Sequence, residues 1–271
     1  LNRCLIAQRR IGGIDDVAIW DGPLSQQSIQ QLAAGTSPTS IVDVPEPSLP
    51  AQLVQYFTFD DGPGSEIATN AIPSGNTGTL TNFDAAAAWT SGGLSPRLTN
   101  STGALVFTGG SFVNLGNINL FGSAAVSMWI KPANCSNDFR IYNQLSGSTY
   151  NPGSIKFVGA GGLAVYNSTT DLRVTPDGAI PTNEWTHLVF SYDNGFVTAF
   201  VNGVPQITTK AVFAFNTDPF GLGSKFKLSY GKNFVGAIDD VSIWNRALSP
   251  TSIQRLAQGV SPLAIVDTVE P

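Results

Sequence analysis

The sequence predicts an all-β protein, an antiparallel sandwich of short strands with one short helix near its C-terminus. Three observations carry that expectation. Short apolar runs alternate with polar residues along most of the chain. Gly, Pro and Asn-Gly punctuate them at close intervals, as turns between strands require. Only one long stretch with a complete domain before it has helical spacing. Many regularly spaced strands with one terminal helix argue for a sandwich.

The elements follow in order. LVQYFTFDDG (Leu53–Gly62) alternates and stops at glycine. ALVFTGGSFVNLG (Ala104–Gly116) reads as a hairpin about Gly109-Gly110. AVSMWIKP (Ala125–Pro132) is a strand closed by proline, which cannot donate to a ladder. Glu184–Gln206 holds two strands joined at Asp193-Asn194-Gly195, because Asn-Gly supplies the positive φ of a tight hairpin. Asn202-Gly203 turns the chain again, and GAIDDVSIW (Gly236–Trp244) is the last long strand. In SPTSIQRLAQG (Ser249–Gly259), Ile253, Leu256 and Ala257 share one helical face, Ser249 can cap it and Gly259 can end it.

The chain also repeats itself. Ile11–Pro47 and Val235–Pro271 are the same passage: Asp15 maps to Asp239, Trp20 to Trp244 and Pro47 to Pro271, a constant offset of 224 residues. One full period runs from Ser48 to Pro271, long enough to bury a sizeable core. The expected division is therefore 1–39 as the terminal strands and helix of a preceding repeat and 40–52 as a linker. A complete domain then occupies 53–262, followed by a second linker, 263–271. Pro45, Pro47 and Pro50 favour an extended, stiff linker. The strand around Asp15–Trp20 is expected to pair with a neighbouring copy, so Ile14, Val17, Ile19 and Trp20 are the expected inter-subunit contacts. Such head-to-tail contacts build arrays or filaments when the rotation does not close.

Composition narrows the partners. Of 271 residues 42% are apolar but only 12% are charged, about half the usual share, and net charge is −5 without a basic cluster. Nucleic acid and anionic membranes are not expected partners. No apolar stretch approaches the roughly 18 residues of a membrane span. With no initiator Met and no signal peptide, the chain reads as a mature fragment, and its uncharged polar surface suits an extracellular setting. Cys4 and Cys135 are compatible with a disulfide or with two buried thiols. Asn100, Asn134 and Asn167 fit the glycan acceptor pattern, which chance also produces in a chain rich in Asn, Ser and Thr.

YFTFDDG, VSMWIKP, EWTHLVFSYDNGFVTAFVNG and GAIDDVSIWNRALSPTSIQRLAQG, in that order, resemble the laminin G-like, concanavalin A-type jelly roll. SGNTGTL (Ser74–Leu80) resembles that family's loop after the first strand. The resemblance spans about Leu53–Gly259. It implies a jelly-roll sandwich whose first and last long strands are neighbours. The fold serves binding, adhesion and catalysis alike, so it does not by itself give a function.

Three kinds of site follow. Carboxylates of Asp60-Asp61 and Asp239-Asp240 would approach across neighbouring strands and repel, which a Ca²⁺ ion relieves. The resemblance implies a structural calcium on Asp60, Asn76, a carbonyl near Thr79, and Asp239; the alternative is that these aspartates only cap turns. Glycosidase chemistry needs two carboxylates flanking the scissile bond. Glu46, Glu66, Glu184 and Glu270 offer no pair alternating along a strand, and the single histidine, His187, shares a strand face with Trp185 and Val189. No catalytic residue is expected. Tyr150, Phe220 and Trp89 are loop aromatics that would stack on a sugar or plug the end of the sandwich. Two functions follow: an extracellular structural or adhesive repeat, or a lectin-like module for polysaccharide or glycoprotein.

Overall fold

The computed structural model describes residues 17–20, 24, 26–41, 51–91, 101–118, 120, 123–136, 138–144, 154–166, 170–211, 219–223 and 232–268. It divides into two compact units, Leu1–Leu49 and Pro50–Pro271. Ile14, Tyr150, Cys4, Asn100 and Asn167 lie outside the described residues.

In the first unit, helix α1 (Gln26–Ala33) is followed by a 3₁₀ turn at Pro38–Ser40. Val17–Trp20, expected to be part of a strand, lie in neither helix nor strand. A strand is a paired structure, and a lone segment has no ladder to join.

In the second unit the strands, in chain order, are β1 (Leu53–Phe57), β2 (Ile67–Ala68), β3 (Gly78–Thr81), β4 (Trp89–Ser91), β5 (Gly103–Thr108), β6 (Phe112–Asn117), β7 (Ala124–Pro132) and β8 (Arg140–Gln144). They continue with β9 (Ser154–Val158), β10 (Gly162–Tyr166), β11 (Asp171–Arg173), β12 (Thr186–Asp193), β13 (Phe196–Val201), β14 (Val204–Lys210), β15 (Pro219–Leu222) and β16 (Val235–Trp244). Helix α2 (Pro250–Ala257) follows. Two antiparallel sheets form a sandwich. The first runs β14-β13-β12-β7-β16-β5-β4 with β1 also on β16, and the second runs β11-β10-β9-β8-β15-β6-β3-β2.

The inner faces meet in one core that includes Phe57, Phe107, Met128 and Phe190 of the first sheet and Leu115, Phe157 and Leu163 of the second. A smaller cluster lies on the outer face of the first sheet. There α2 lays Ile253 and Leu256 against Ala125, Val189, Phe200 and Trp244. Strands β7, β12 and β16 are therefore buried on both faces, which explains their nearly continuous apolar runs. The Ser249 hydroxyl caps α2 by accepting from the Ser252 N–H at 3.2 Å, and Gly259 ends it at φ +87°. The two Asn-Gly turns adopt positive φ at both residues and close the β12–β13 and β13–β14 hairpins.

Two expectations need correction. The stretch around Gly109-Gly110 is no hairpin, because β5 pairs in the first sheet and β6 in the second. Leu105, Phe107, Val113 and Leu115 all enter the same core, and facing one another across a sandwich satisfies that alternation as well as sharing a sheet would. Residues 263–267 are part of the sandwich, not of a linker. Ile265 is buried against the α2 cluster. The Asp267 carboxylate accepts from the Ala51 N–H at 3.2 Å and from the Ser249 hydroxyl at 2.8 Å.

Candidate functional site

The acidic motif sits where β16 changes partners. Val235–Ile238 pair with β5, and Val241–Trp244 pair with β1. Between them the register of β16 on β7 shifts, and Asp240 takes φ +48°, a left-handed conformation that Asp tolerates in a bulge. Phe59, just past β1, also has positive φ, +53°. Both chains thus leave regular strand geometry at the carboxylates, and such outliers gather at functional sites.

Asp239 is fully buried. One carboxylate oxygen accepts from the Ser101 hydroxyl at 2.9 Å, the other from the Asp240 N–H at 2.8 Å. Asp240 accepts from the Tyr56 hydroxyl. One oxygen of Asp60 takes three donors, the Thr102 N–H at 2.7 Å, the Thr102 hydroxyl at 2.9 Å and the Gly103 N–H at 2.9 Å. Burial raises the pKa of both Asp239 and Asp240, and the charges of Asp240 on Asp239 and of Asp60 on both add to it. Burial, and then the Asp240 charge, likewise raises the pKa of Tyr56.

Of the expected calcium ligands, Asp60 and Asp239 therefore share the Ser101–Gly103 segment. Asn76 is bound elsewhere: its side-chain amide donates to the carbonyls of Leu115 and Asn117 at 3.1 and 2.8 Å, and its N–H donates to the Gln55 side chain at 2.9 Å. Thr79 lies on β3, between Ile67 and Asn114. Among the described residues no group of three or more His, Cys, Asp or Glu is poised to hold a metal ion. Tyr56 and Ser101 belong to this cluster and are not singled out by the sequence, whereas Asp240 is named there only as half of an acidic pair and not as a ligand. The doubled aspartate is the available signal for Asp240; Tyr56 and Ser101 leave none.

Trp89 and Phe220 are buried, which corrects their reading as stacking platforms. Trp89 begins β4 and donates its indole N–H to the Ser65 carbonyl at 3.4 Å. Phe220 lies on β15 with its ring centroid 6.0 Å from that of Tyr142. Both belong to the main core, because a large aromatic contributes most when removed from water.

A different, largely buried polar cluster emerges on the outer side of the second sheet. Ile155, Phe157, Leu163 and Val165 face the core, so Ser154, Lys156 and Tyr166 lie on the opposite side of the sheet, where Ser154, Lys156, Arg140 and Asn143 are nonetheless buried and Tyr166 is half-buried. The Arg140 guanidinium lies 5.2 Å and the Lys156 ammonium 5.6 Å from the centre of the half-buried Tyr166 ring. Asp138 pairs with Arg140 at 3.0 Å, with Lys156 at 2.9 Å and with Lys232, and Lys156 also reaches Asp171 at 2.7 Å. Burial would raise the Asp138 carboxyl, but Lys232, Lys156 and Arg140 outweigh it and hold it well below the usual range. The Ser154 hydroxyl bonds Asn143 beside them. The sequence signal for this face is a lysine between two core residues, Ile155 and Phe157, in a short strand.

His187 is buried, its Nε2 2.9 Å from the Ser127 hydroxyl and its ring centre 5.1 Å from that of Trp129. Burial lowers its pKa to about 3, so it is a neutral packed side chain. Cys135 is a buried free thiol whose pKa burial pushes up to about 11.

In the first unit Val17 is 75% exposed and Ile19 92%, whereas their counterparts Val241 and Ile243 are 0% and 1% exposed. Trp20 is half-buried. No helix among the described residues is long and apolar enough to cross a membrane.

The family model described as the concanavalin A-like lectin/glucanases superfamily matches residues 107–254, more than half of the chain. No curated protein matches. Among solved structures, domain 4 of the extracellular arabinanase AbnA from Geobacillus stearothermophilus, solved with arabinotriose, is 25% identical at a TM-score of 0.61. The match covers 77% of this chain and 100% of that one. The binding domain of Paraclostridial Mosquitocidal Protein 1 matches at 16% identity and TM-score 0.51, over 76% of this chain and 51% of that one. The Trypanosoma rangeli sialidase in complex with sialic acid matches at 12% and 0.52, over 80% and 34%. The last two likenesses show the fold alone.

Proposed function

Since the chain belongs to the concanavalin A-like lectin/glucanase superfamily, we propose that its sandwich is a non-catalytic carbohydrate-binding module of an extracellular protein. The observation that carries this is the outer side of the second sheet, where the half-buried Tyr166 and the exposed Asp171 carboxylate are backed by a buried polar cluster of Arg140, Lys156, Asn143 and Ser154 with Asp138. A sugar would meet the exposed part of the Tyr166 ring and the Asp171 carboxylate, while the buried cations against the ring hold it in place. The likeness to an arabinanase domain solved with arabinotriose supports a polysaccharide ligand. The module is proposed as non-catalytic because Glu66 and Glu184 lie in turns with no acid alternating beside them, and because His187 is spent on packing.

Isothermal titration of the full chain with a panel of oligosaccharides beginning with arabinotriose tests this. Saturable binding that falls at least about tenfold in Tyr166→Ala, the loss of roughly 1.4 kcal/mol, is expected. No binding across the panel, or binding indifferent to Tyr166, would sink it.

The carboxylates of Asp60, Asp239 and Asp240 are further proposed to take a structural Ca²⁺. Asp60 and Asp239 share the Ser101–Gly103 segment and Asp240 stands in the bulge beside them; the three are not already arranged as a metal-binding group, but a hard divalent cation would relieve their repulsion. The donors already on Asp60 and Asp239 would have to share those oxygens with the ion.

A second reading, a self-associating structural or adhesive repeat, is favoured by the exposure of Val17 and Ile19. It is compatible with sugar binding.

A further inference from the structure

We propose that the sugar-binding face at Tyr166 continues along β10 and β11 to a second subsite, built from Arg173 and Asp177, and that the ligand is a neutral, hydroxyl-rich oligosaccharide of at least two units. This rests on the carbohydrate-binding reading and adds to it the length of the ligand and the residues that sense it.

Strand pairing puts the two places on one surface. Tyr166 stands directly opposite Asp171, and Ala164 directly opposite Arg173. Opposite residues of an antiparallel pair share a face, as do residues two apart on one strand. Leu172, between Asp171 and Arg173, packs against the main core, so its two neighbours turn away from the core. Gly162, Ala164 and Tyr166 therefore form one outward row on β10, and Asp171 and Arg173 a second row on β11. Arg173 Nη1 donates to Asp177 Oδ1 at 2.7 Å. A Cβ on Gly162 would stand 2.8 Å from that nitrogen and 2.9 Å from that oxygen, so the pair lies close over the glycine.

That pair has no evident structural task. Arg173 is 44% exposed and Asp177 60%, and an ion pair so exposed adds little to stability. Yet only 12% of the chain is charged, and Asp138, Arg140, Lys156, Asp171, Arg173 and Asp177 gather on this one side of β8–β11. Core packing gives no reason for that concentration; recognition of a polar ligand does.

The pairing of the charges names the ligand. Arg140 and Lys156 face Asp138, Lys156 also faces Asp171, and Arg173 faces Asp177. With cations matched to carboxylates, the surface makes no demand for an anion. What it exposes is an acceptor beside the ring, Asp171, and a donor–acceptor pair farther along, Arg173 and Asp177. Sugar hydroxyls donate to carboxylates and accept from a guanidinium, and such charge-assisted bonds are the stronger kind. Asp171 and Arg173 are two residues apart, about 7 Å along the strand, a separation suited to neighbouring units of a sugar chain.

The experiment measures how affinity grows with ligand length. The full chain is titrated calorimetrically with arabinose, arabinobiose, arabinotriose and a trimer of galacturonate. Arabinotriose should bind at least about tenfold more tightly than arabinose, because the second contact is made by a tethered unit. Arg173→Ala and Asp177→Asn should each remove most of that gain, leave arabinose affinity within about twofold and leave the Tm within about 2 °C. Tyr166→Ala should weaken every sugar. The proposal is overturned if affinity is flat with length, if the gain survives both substitutions, if they weaken arabinose as much as arabinotriose, or if the galacturonate trimer binds more tightly than arabinotriose. Binding that needs Tyr166 but is flat with length would leave the carbohydrate-binding reading standing. Binding to no sugar, or binding indifferent to Tyr166, would sink that reading and this one with it.

Discussion

His187 shows how much one buried side chain costs when its surroundings favour only one charge state. Its pKa falls from the ordinary 6.5 to about 3 because burial penalises the imidazolium. A lowered folded-state pKa means the stability is intact above 6.5 and is lost as pH falls from 6.5 toward 3, by about 1.4 kcal/mol per pH unit. His187→Gln should lose less Tm than the wild type between pH 6.5 and 4, by thermal melts at matched ionic strength; parallel curves would show that His187 is not the sensitive group. The packed state of His187 is legible in EWTHLVF, because period 2 puts it on the face of Val189. The burial of Trp89 and Phe220 is not. Each follows small or turn-forming residues, AAAA and TDP, that give no period to place the ring. The polar ring around Tyr166 is similarly hidden, because strands β8 to β11 that assemble it are joined by residues with no alternation to read.

At the scale of the element, β16 is two half-strands joined by a bulge. Ile238, Val241 and Ile243 all reach the main core, a spacing of three and then two that a regular strand cannot give. That spacing is in the sequence, twice, as Ile14, Val17, Ile19 and again as Ile238, Val241, Ile243, so an inserted residue is legible. The left-handed φ of Asp240 is not, because an aspartate at such a position looks like any other. The bulge brings Asp239 and Asp240 to the ends of β1 and β5, and the proposal of a bound cation belongs to this junction. Asp239→Asn removes a carboxyl whose ionised form burial and Asp240 penalise, while keeping an acceptor. In EDTA it should raise the Tm by about 4 °C, the equivalent of roughly 1–2 kcal/mol in a domain of this size. Added Ca²⁺ should raise the Tm of the wild type and leave that of the variant unchanged. A wild type indifferent to Ca²⁺ would argue for turn-capping aspartates.

For the whole molecule, the sandwich of Pro50–Pro271 contains both of its apolar clusters, the main core and the one under α2. Calorimetry of residues 50–271 alone should give a main transition within about 2 °C of the full chain; a larger fall would mean residues 1–49 stabilise the sandwich. The architecture was legible because β-alternation, Asn-Gly turns and the 224-residue period all point one way. The layer to which each strand belongs was not, as the crossing at Gly109-Gly110 shows. The contact between Asp267 and Ala51 has a mechanical consequence. The chain enters and leaves the sandwich side by side, with β1 antiparallel to β16 between those points. Tension applied at the two ends would part Ala51 from Asp267, peel residues 245–267 with α2 off the sheet, and then open the β1–β16 ladder from its Leu53–Trp244 end. Loaded in series, such domains would yield gradually at low force and lengthen, as an elastic tether does.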